Sequence, residues 1–92
     1  MVVYIKLLPP FSDAVGKRKI EMNTNNNEFN IETLFIELIR QYPSVRTLFP
    51  KKLNKNNIYG NCFPVREGNL LRIDDEIKDK DSITIYGSIS GG

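Results

Sequence analysis

The sequence has no histidine, no tryptophan and a single cysteine, Cys62. Without histidine, the chain lacks the side chain that most often serves as general base and metal ligand near neutral pH. Ser/His/Asp catalysis in its usual form is excluded. One cysteine forms no disulfide within the chain, and there is no Cys/His grouping of the kind that holds zinc. No metal site is expected. A phosphate-cradling glycine loop is missing as well. No run of about 18 apolar residues is present, so no membrane-spanning helix is expected. The first residues form no signal-like apolar segment, which makes the cytoplasm the expected location.

A strong excess of one charge is also lacking. Thirteen Lys and Arg face eleven Asp and Glu, for a formal net charge of +2. Nucleic-acid binders concentrate positive charge on one face, so no nucleic-acid partner is expected, and no membrane partner either. The charge that exists is unevenly placed. Lys51-Lys52-Leu53-Asn54-Lys55 is basic, and Asp74 to Asp81 is mostly acidic. Both read first as solvated loops.

What is present suits one small α+β domain. Ninety-two residues is the length of a single unit. A chain of this size buries about 60–65% of its unfolded surface, enough for one core and little more. Val2 to Leu8 reads as a strand, with Val3, Ile5 and Leu7 on one face and Val2, Tyr4 and Lys6 on the other. Pro9-Pro10 stops it, because proline has no N–H to give a ladder. Phe11 to Val15 predicts a short helical turn ended by Gly16. Lys17 to Met22 predicts a second strand, with Ile20 and Met22 facing inward. Asn23 to Asn27 is a polar loop.

The clearest helix signal follows. Ile31, Leu34, Phe35, Leu38, Ile39 and Tyr42 recur at helical spacing. Asn30 is placed to cap it, Phe29 to staple onto Leu34, and Pro43 to end it. Ser44 to Phe49 suggests a second short helix, and Lys51 to Asn57 a basic loop. Ile58 to Val65 reads as an irregular or edge strand, because it contains Gly60 and Pro64. Glu67-Gly68-Asn69 reads as a turn, and Leu70 to Ile73 as a short strand. Asp74 to Asp81 is a polar stretch with one buried candidate, Ile77. Ser82 to Tyr86 is the last strand. An amphipathic helix after a hairpin must bury its stripe against a sheet. The expected architecture is a ubiquitin-like β-grasp, a mixed four- to five-stranded sheet packed on one main helix. It spans residues 1–86, with a flexible tail at 87–92.

Few residues offer chemistry. Asp74, Asp75 and Glu76 cluster on an expected surface turn, where solvation is the simpler role. Cys62 beside Phe63 reads as a packing residue rather than a nucleophile. The tail differs. With glycine at about 7% of residues, a terminal pair arises by chance in about 0.5% of chains, so Gly91-Gly92 is suggestive. The alternative is a frayed terminus. Glycine has no Cβ and passes through channels too narrow for other residues. Six extended residues from Gly87 reach roughly 20 Å, far enough to deliver a terminal carboxylate into another protein's active site.

Taken along the chain, the sequence resembles the MoaD/ThiS family of ubiquitin-like sulfur carriers. The likeness runs through the opening strand Val2 to Leu8, the turn ending Ala14-Val15-Gly16, and the helix running into Tyr42-Pro43. It is strongest from Asp74-Asp75-Glu76-Ile77-Lys78-Asp79-Lys80-Asp81 through Ser82-Ile83-Thr84-Ile85 to Ser88-Ile89-Ser90-Gly91-Gly92. Lys80 stands where that turn often has glycine, and Gly87-Ser88 stands where Pro-Pro often precedes the tail.

The resemblance implies a carrier that is not an enzyme alone and binds no cofactor itself. A ubiquitin-activating-type adenylating enzyme would use ATP to activate Gly92, and sulfur transfer would make a thiocarboxylate there. The chain would be the small subunit of molybdopterin synthase, with the large subunit as partner. Gly91, Ser90 and Ile89 would form the inserting tail. Tyr4, Phe63 and Tyr86 are candidates for a docking patch on the sheet. Three other readings stand beside it: a protein modifier joined to lysines through Gly92, a thiamin-type sulfur carrier, and a ubiquitin-like interaction module whose tail is unused.

Overall fold

In the first strand, β1 (Val2–Leu7), every second side chain is apolar, and the computed structural model turns Val3, Ile5 and Leu7 into the core. The structure describes residues 1–25, 28–49 and 62–87. After β1 come α1 (Phe11–Val15), β2 (Lys19–Asn23), α2 (Ile31–Gln41), a 3₁₀ helix (Pro43–Leu48), β3 (Cys62–Arg66), β4 (Asn69–Leu70) and β5 (Ser82–Gly87). The sheet order is β2-β1-β5-β3-β4. β1 pairs antiparallel with β2 and parallel with β5, and β3 is antiparallel to both β4 and β5. This is the expected β-grasp, with all five strands formed.

Gly16 ends α1 at a φ of 82° and donates its N–H to the Ser12 carbonyl, the left-handed cap that glycine adopts without strain. β2 starts at Lys19 rather than Lys17, because Arg18 still lies in the connection while its carbonyl accepts from the Leu7 N–H at 2.7 Å. α2 buries Ile31, Leu34, Phe35 and Leu38 in the same cluster as Val3, Ile5, Leu7, Ile20, Met22, Cys62, Ile83 and Ile85, and Ile39 and Tyr42 pack at its margin. Each such side chain, fully buried, contributes about 1.5–3 kcal/mol. Phe29 is buried in this cluster too.

Both ends of α2 are tied down. The Asn30 side chain accepts from the Thr33 N–H at 2.9 Å, and the Thr33 hydroxyl accepts from the Asn30 N–H at 2.7 Å. Ile31 and Glu32 donate their N–H groups to the carbonyls of Asp75 and Ile73 at 3.2 and 3.0 Å. These bonds satisfy donors that every helix start leaves open. They also explain why the expected strand Leu70–Ile73 stops at Leu70. The chain leaves the sheet so that its carbonyls can cap α2, and Leu71 and Ile73 are buried without belonging to a strand. At the far end, the Ser44 hydroxyl donates to the Ala14 carbonyl at 2.7 Å. The Phe49 ring lies 5.2 Å from Phe11 and 4.8 Å from Phe35, centre to centre. The expected loop Lys51–Asn57 and the start of the strand expected from Ile58 lie outside the described residues.

The acidic stretch before β5 is a structural brace. Asp75 accepts from the Arg72 N–H at 2.6 Å, and Asp79 from the Val2 N–H at 2.7 Å. The Arg66 guanidinium donates to the Asp81 carboxylate at 2.7 Å and to the Glu76 carbonyl at 3.0 Å. Ile77 is buried beneath this brace.

Candidate functional site

Two features could meet a partner: the outer face of the sheet and the end of β5. The outer face follows from strand alternation. On β5, Ile83 and Ile85 point to the core while Tyr86 points out, 44% exposed. On β3, Cys62 and Pro64 point in while Phe63 and Val65 stay partly open. Register then sets the neighbours. Phe63 lies directly opposite Tyr86, Val65 opposite Thr84 on one side and opposite Leu70 on the other. The Glu67-Gly68 turn holds that last pair together, with φ of 51° and 80° at its two residues, as a two-residue hairpin needs. The result is an apolar strip of Tyr86, Phe63, Val65 and Leu70.

Of the three docking residues expected from sequence, the structure brings two together. Phe63 and Tyr86 are cross-strand partners. Tyr4 shares their face and is 45% exposed, but it sits opposite Ser82 and Glu21, on the order of 13 Å from Tyr86 along the strand direction. It belongs to a separate shallow depression between β1 and β2, lined also by Lys6, Lys19 and Glu21. Val65 and Leu70 were missed by sequence reasoning. The two-residue spacing from Phe63 to Val65 and the Glu67-Gly68 turn carried the signal for both.

At the end of β5, Gly87 pairs with Cys62 of β3. On its other side lies the Pro9-Pro10 turn: the Leu8 N–H donates to the Ile85 carbonyl at 3.2 Å, extending the β1–β5 ladder up to that turn. Gly87 therefore closes β5, one residue past the strand end expected from sequence. The residues expected to work or insert, Gly92, Gly91, Ser90 and Ile89, lie outside the described residues.

Cys62 offers no nucleophile. It is fully buried, and burial pushes its thiol up to about 12, so the thiolate is scarce at neutral pH. Among the described residues, no group of three or more His, Cys, Asp or Glu is arranged to hold a metal. No helix among them is long and apolar enough to cross a membrane.

No protein-family model matches the chain, and no curated protein does so by sequence. Solved structures match it closely in shape. SAMP1 from Haloferax volcanii superposes with a TM-score of 0.82 at 15% identity, covering 100% of both chains. A provisionally assigned molybdopterin converting factor subunit 1 from Pyrococcus furiosus gives 0.77 at 16% identity, over 97% of this chain and 99% of that one. In a Helicobacter pylori structure of subunits 1 and 2 of molybdopterin-converting factor in complex, the match has a TM-score of 0.60 at 15% identity, over 100% of each chain. At such identities the likeness establishes the fold: this chain has the MoaD/ThiS-type ubiquitin-like fold.

Proposed function

We propose that the chain is a sulfur carrier whose working group is the Gly92 carboxylate, acting as the small subunit of molybdopterin synthase. One observation carries the reading. A ubiquitin-like domain ends its last strand at Gly87, and the sequence then runs through Ser88-Ile89-Ser90 to Gly91-Gly92. A free carboxylate is a poor acyl donor, so activation comes first. A carboxylate oxygen of Gly92 attacks the α-phosphorus of ATP in a ubiquitin-activating-type enzyme, and pyrophosphate leaves. A sulfur nucleophile then attacks the acyl carbon of the adenylate and AMP leaves. Hydrosulfide gives the Gly92 thiocarboxylate directly. Where the nucleophile is a persulfide, a second thiol attacks the donor's sulfur in the resulting acyl disulfide, forming a disulfide with the donor and releasing the thiocarboxylate.

The domain supplies binding and delivery rather than chemistry. The strip of Phe63, Val65, Leu70 and Tyr86 would bury against the partner, and the glycine pair would pass into its active site. The Helicobacter pylori neighbour, in complex with a second subunit, supports a large-subunit partner for this chain. The cytoplasm, where ATP and reduced sulfur donors are available, remains the location proposed.

A second reading is favoured by the SAMP1 neighbours, among them small archaeal modifier protein 1 from Methanosarcina acetivorans at 22% identity. In that reading a lysine amine of another protein displaces AMP, and Gly92 ends in an isopeptide bond. Intact mass after incubation with ATP, an adenylating enzyme and a sulfur donor separates the two. A gain matching one oxygen-to-sulfur exchange at Gly92, absent without ATP, supports the carrier. Ladders of heavier conjugates support the modifier. No change in mass with cognate activating enzymes would sink both.

A further inference from the structure

We infer that Gly87 is a positioning residue: the Pro9-Pro10 turn and Cys62 clasp it from either side and fix the point from which the tail departs. This inference rests on the reading of Gly92 as the working end. The geometry is specific. A Cβ on Gly87 would stand 2.2 Å from Pro10 Cδ, 2.7 Å from the Pro9 carbonyl oxygen and 3.1 Å from the Pro10 nitrogen. Pro10 Cδ is closed into a ring on the backbone nitrogen and cannot swing aside. The carbonyl is backbone too.

The turn itself is anchored. The Phe11 and Ser12 N–H groups donate to the Leu8 carbonyl at 2.9 and 3.2 Å, which ties the segment beyond Pro9-Pro10 back onto the end of β1. Nor does glycine stand here for backbone freedom. Gly16 and Gly68 are the glycines at positive φ among the described residues, and Gly87 is not one of them. What glycine supplies at 87 is space for another stretch of backbone.

On the opposite flank, Cys62 is fully buried and in register with Gly87. The chain is thus held on both sides at the last described residue of β5. From there to Gly92 the extended reach is about 17 Å, and each residue added or removed moves the carboxylate by about 3.4 Å. A partner that receives the tail from a fixed origin must be sensitive to that length. A partner served from a frayed origin would not be, because slack in the strand end would absorb one residue.

The test uses the full chain in three forms: wild type, Gly87→Ala, and a variant with one glycine inserted after Gly87. The first readout needs no partner. Cys62 is titrated with an aromatic disulfide reagent, and Gly87→Ala should react at least about tenfold faster than wild type, because its Cβ forces the clasp apart. The insertion variant should react as slowly as wild type.

The second readout is ATP-dependent activation by the adenylating enzyme, followed as pyrophosphate release. The insertion variant should keep KM within about twofold and lose about tenfold or more in kcat, since docking is intact and the carboxylate is misplaced. Wild-type protection of Cys62 in a folded Gly87→Ala would overturn the clasp. Wild-type kcat in the insertion variant would overturn its role in delivery, and this arm decides the matter even if Gly87→Ala does not fold. Failure of wild type to be activated at all would instead remove the carrier reading, with the thiol titration still deciding the clasp.

Discussion

The Lys80 N–H donates to the Val2 carbonyl at 2.6 Å, and Lys80 holds a φ of +68° in doing so. A lysine in this left-handed region carries backbone strain of about 1–3 kcal/mol. Glycine relieves the strain and gives back about 0.5–1 kcal/mol through its greater freedom when unfolded. Lys80→Gly is therefore expected to stabilise the fold by about 1 kcal/mol, raising Tm by about 4–8 °C. A thermal melt showing no gain would mean that the Lys80 side chain compensates for its backbone.

The reciprocal cap of α2 has a measurable worth. Asn30→Ala removes the acceptor for the Thr33 N–H and should cost about 1 kcal/mol. Asn30→Gly should cost only a few tenths. Urea denaturation midpoints for the two variants check this, with the unfolding slope unchanged. Equal losses would show that the bonds from Ile31 and Glu32 to the Asp75 and Ile73 carbonyls already hold the helix start.

On the exposed side of α2, hydrogen bonds from Arg40 and Gln41, with the Arg40 charge adding to them, hold the Glu37 carboxyl down to about 2. A depressed carboxyl contributes stability that is present above its ordinary value of 4.5 and is lost as pH falls toward 2. Wild type should therefore exceed Glu37→Gln in Tm at pH 7 and match it near pH 2. The pair is on the surface, so the gap should be no more than about 2 °C and should shrink in salt. A gap that widens in acid would contradict the assignment.

The apolar strip should matter to a partner and little to the fold. Tyr86 and Leu70 are 44% and 52% exposed, so Leu70→Ser with Tyr86→Ser should move stability by about 0.5 kcal/mol each or less. Binding to the large-subunit partner should weaken about tenfold or more. Calorimetric titration of the double variant gives the number. Tyr4→Ser, on the separate depression, should leave that affinity unchanged.

Much of the fold was legible because its signals are local. Alternation gave β1 and the inward faces of β2 and β5. Three-and-four spacing gave the buried stripe of α2, and Asn30, Gly16 and Pro43 marked its boundaries and those of α1. What sequence could not supply depended on contacts between distant segments. Leu71 and Ile73 look like strand residues, yet their segment spends its carbonyls on the start of α2. Separating Tyr4 from the Phe63–Tyr86 pair required the β1–β5 register. The tight quarters around Gly87 come from Pro9 and Pro10, far away along the chain, and no residue near Gly87 announces them. The likeness that carried the tail residues Ile89 to Gly92 rests on sequence alone.

Because β1 and β5 lie side by side and run in parallel, the chain enters the sheet at one end and leaves it at the other. By the register of the two strands, Met1 and Gly87 are thus separated by about 26 Å along the strand direction. A fusion, surface tether or fluorescent label attached at the amino terminus would sit at the pole away from Gly87. Immobilised that way, the molecule would present the Gly87 end of the sheet outward, and the proposed Gly92 chemistry could be followed on a tagged chain.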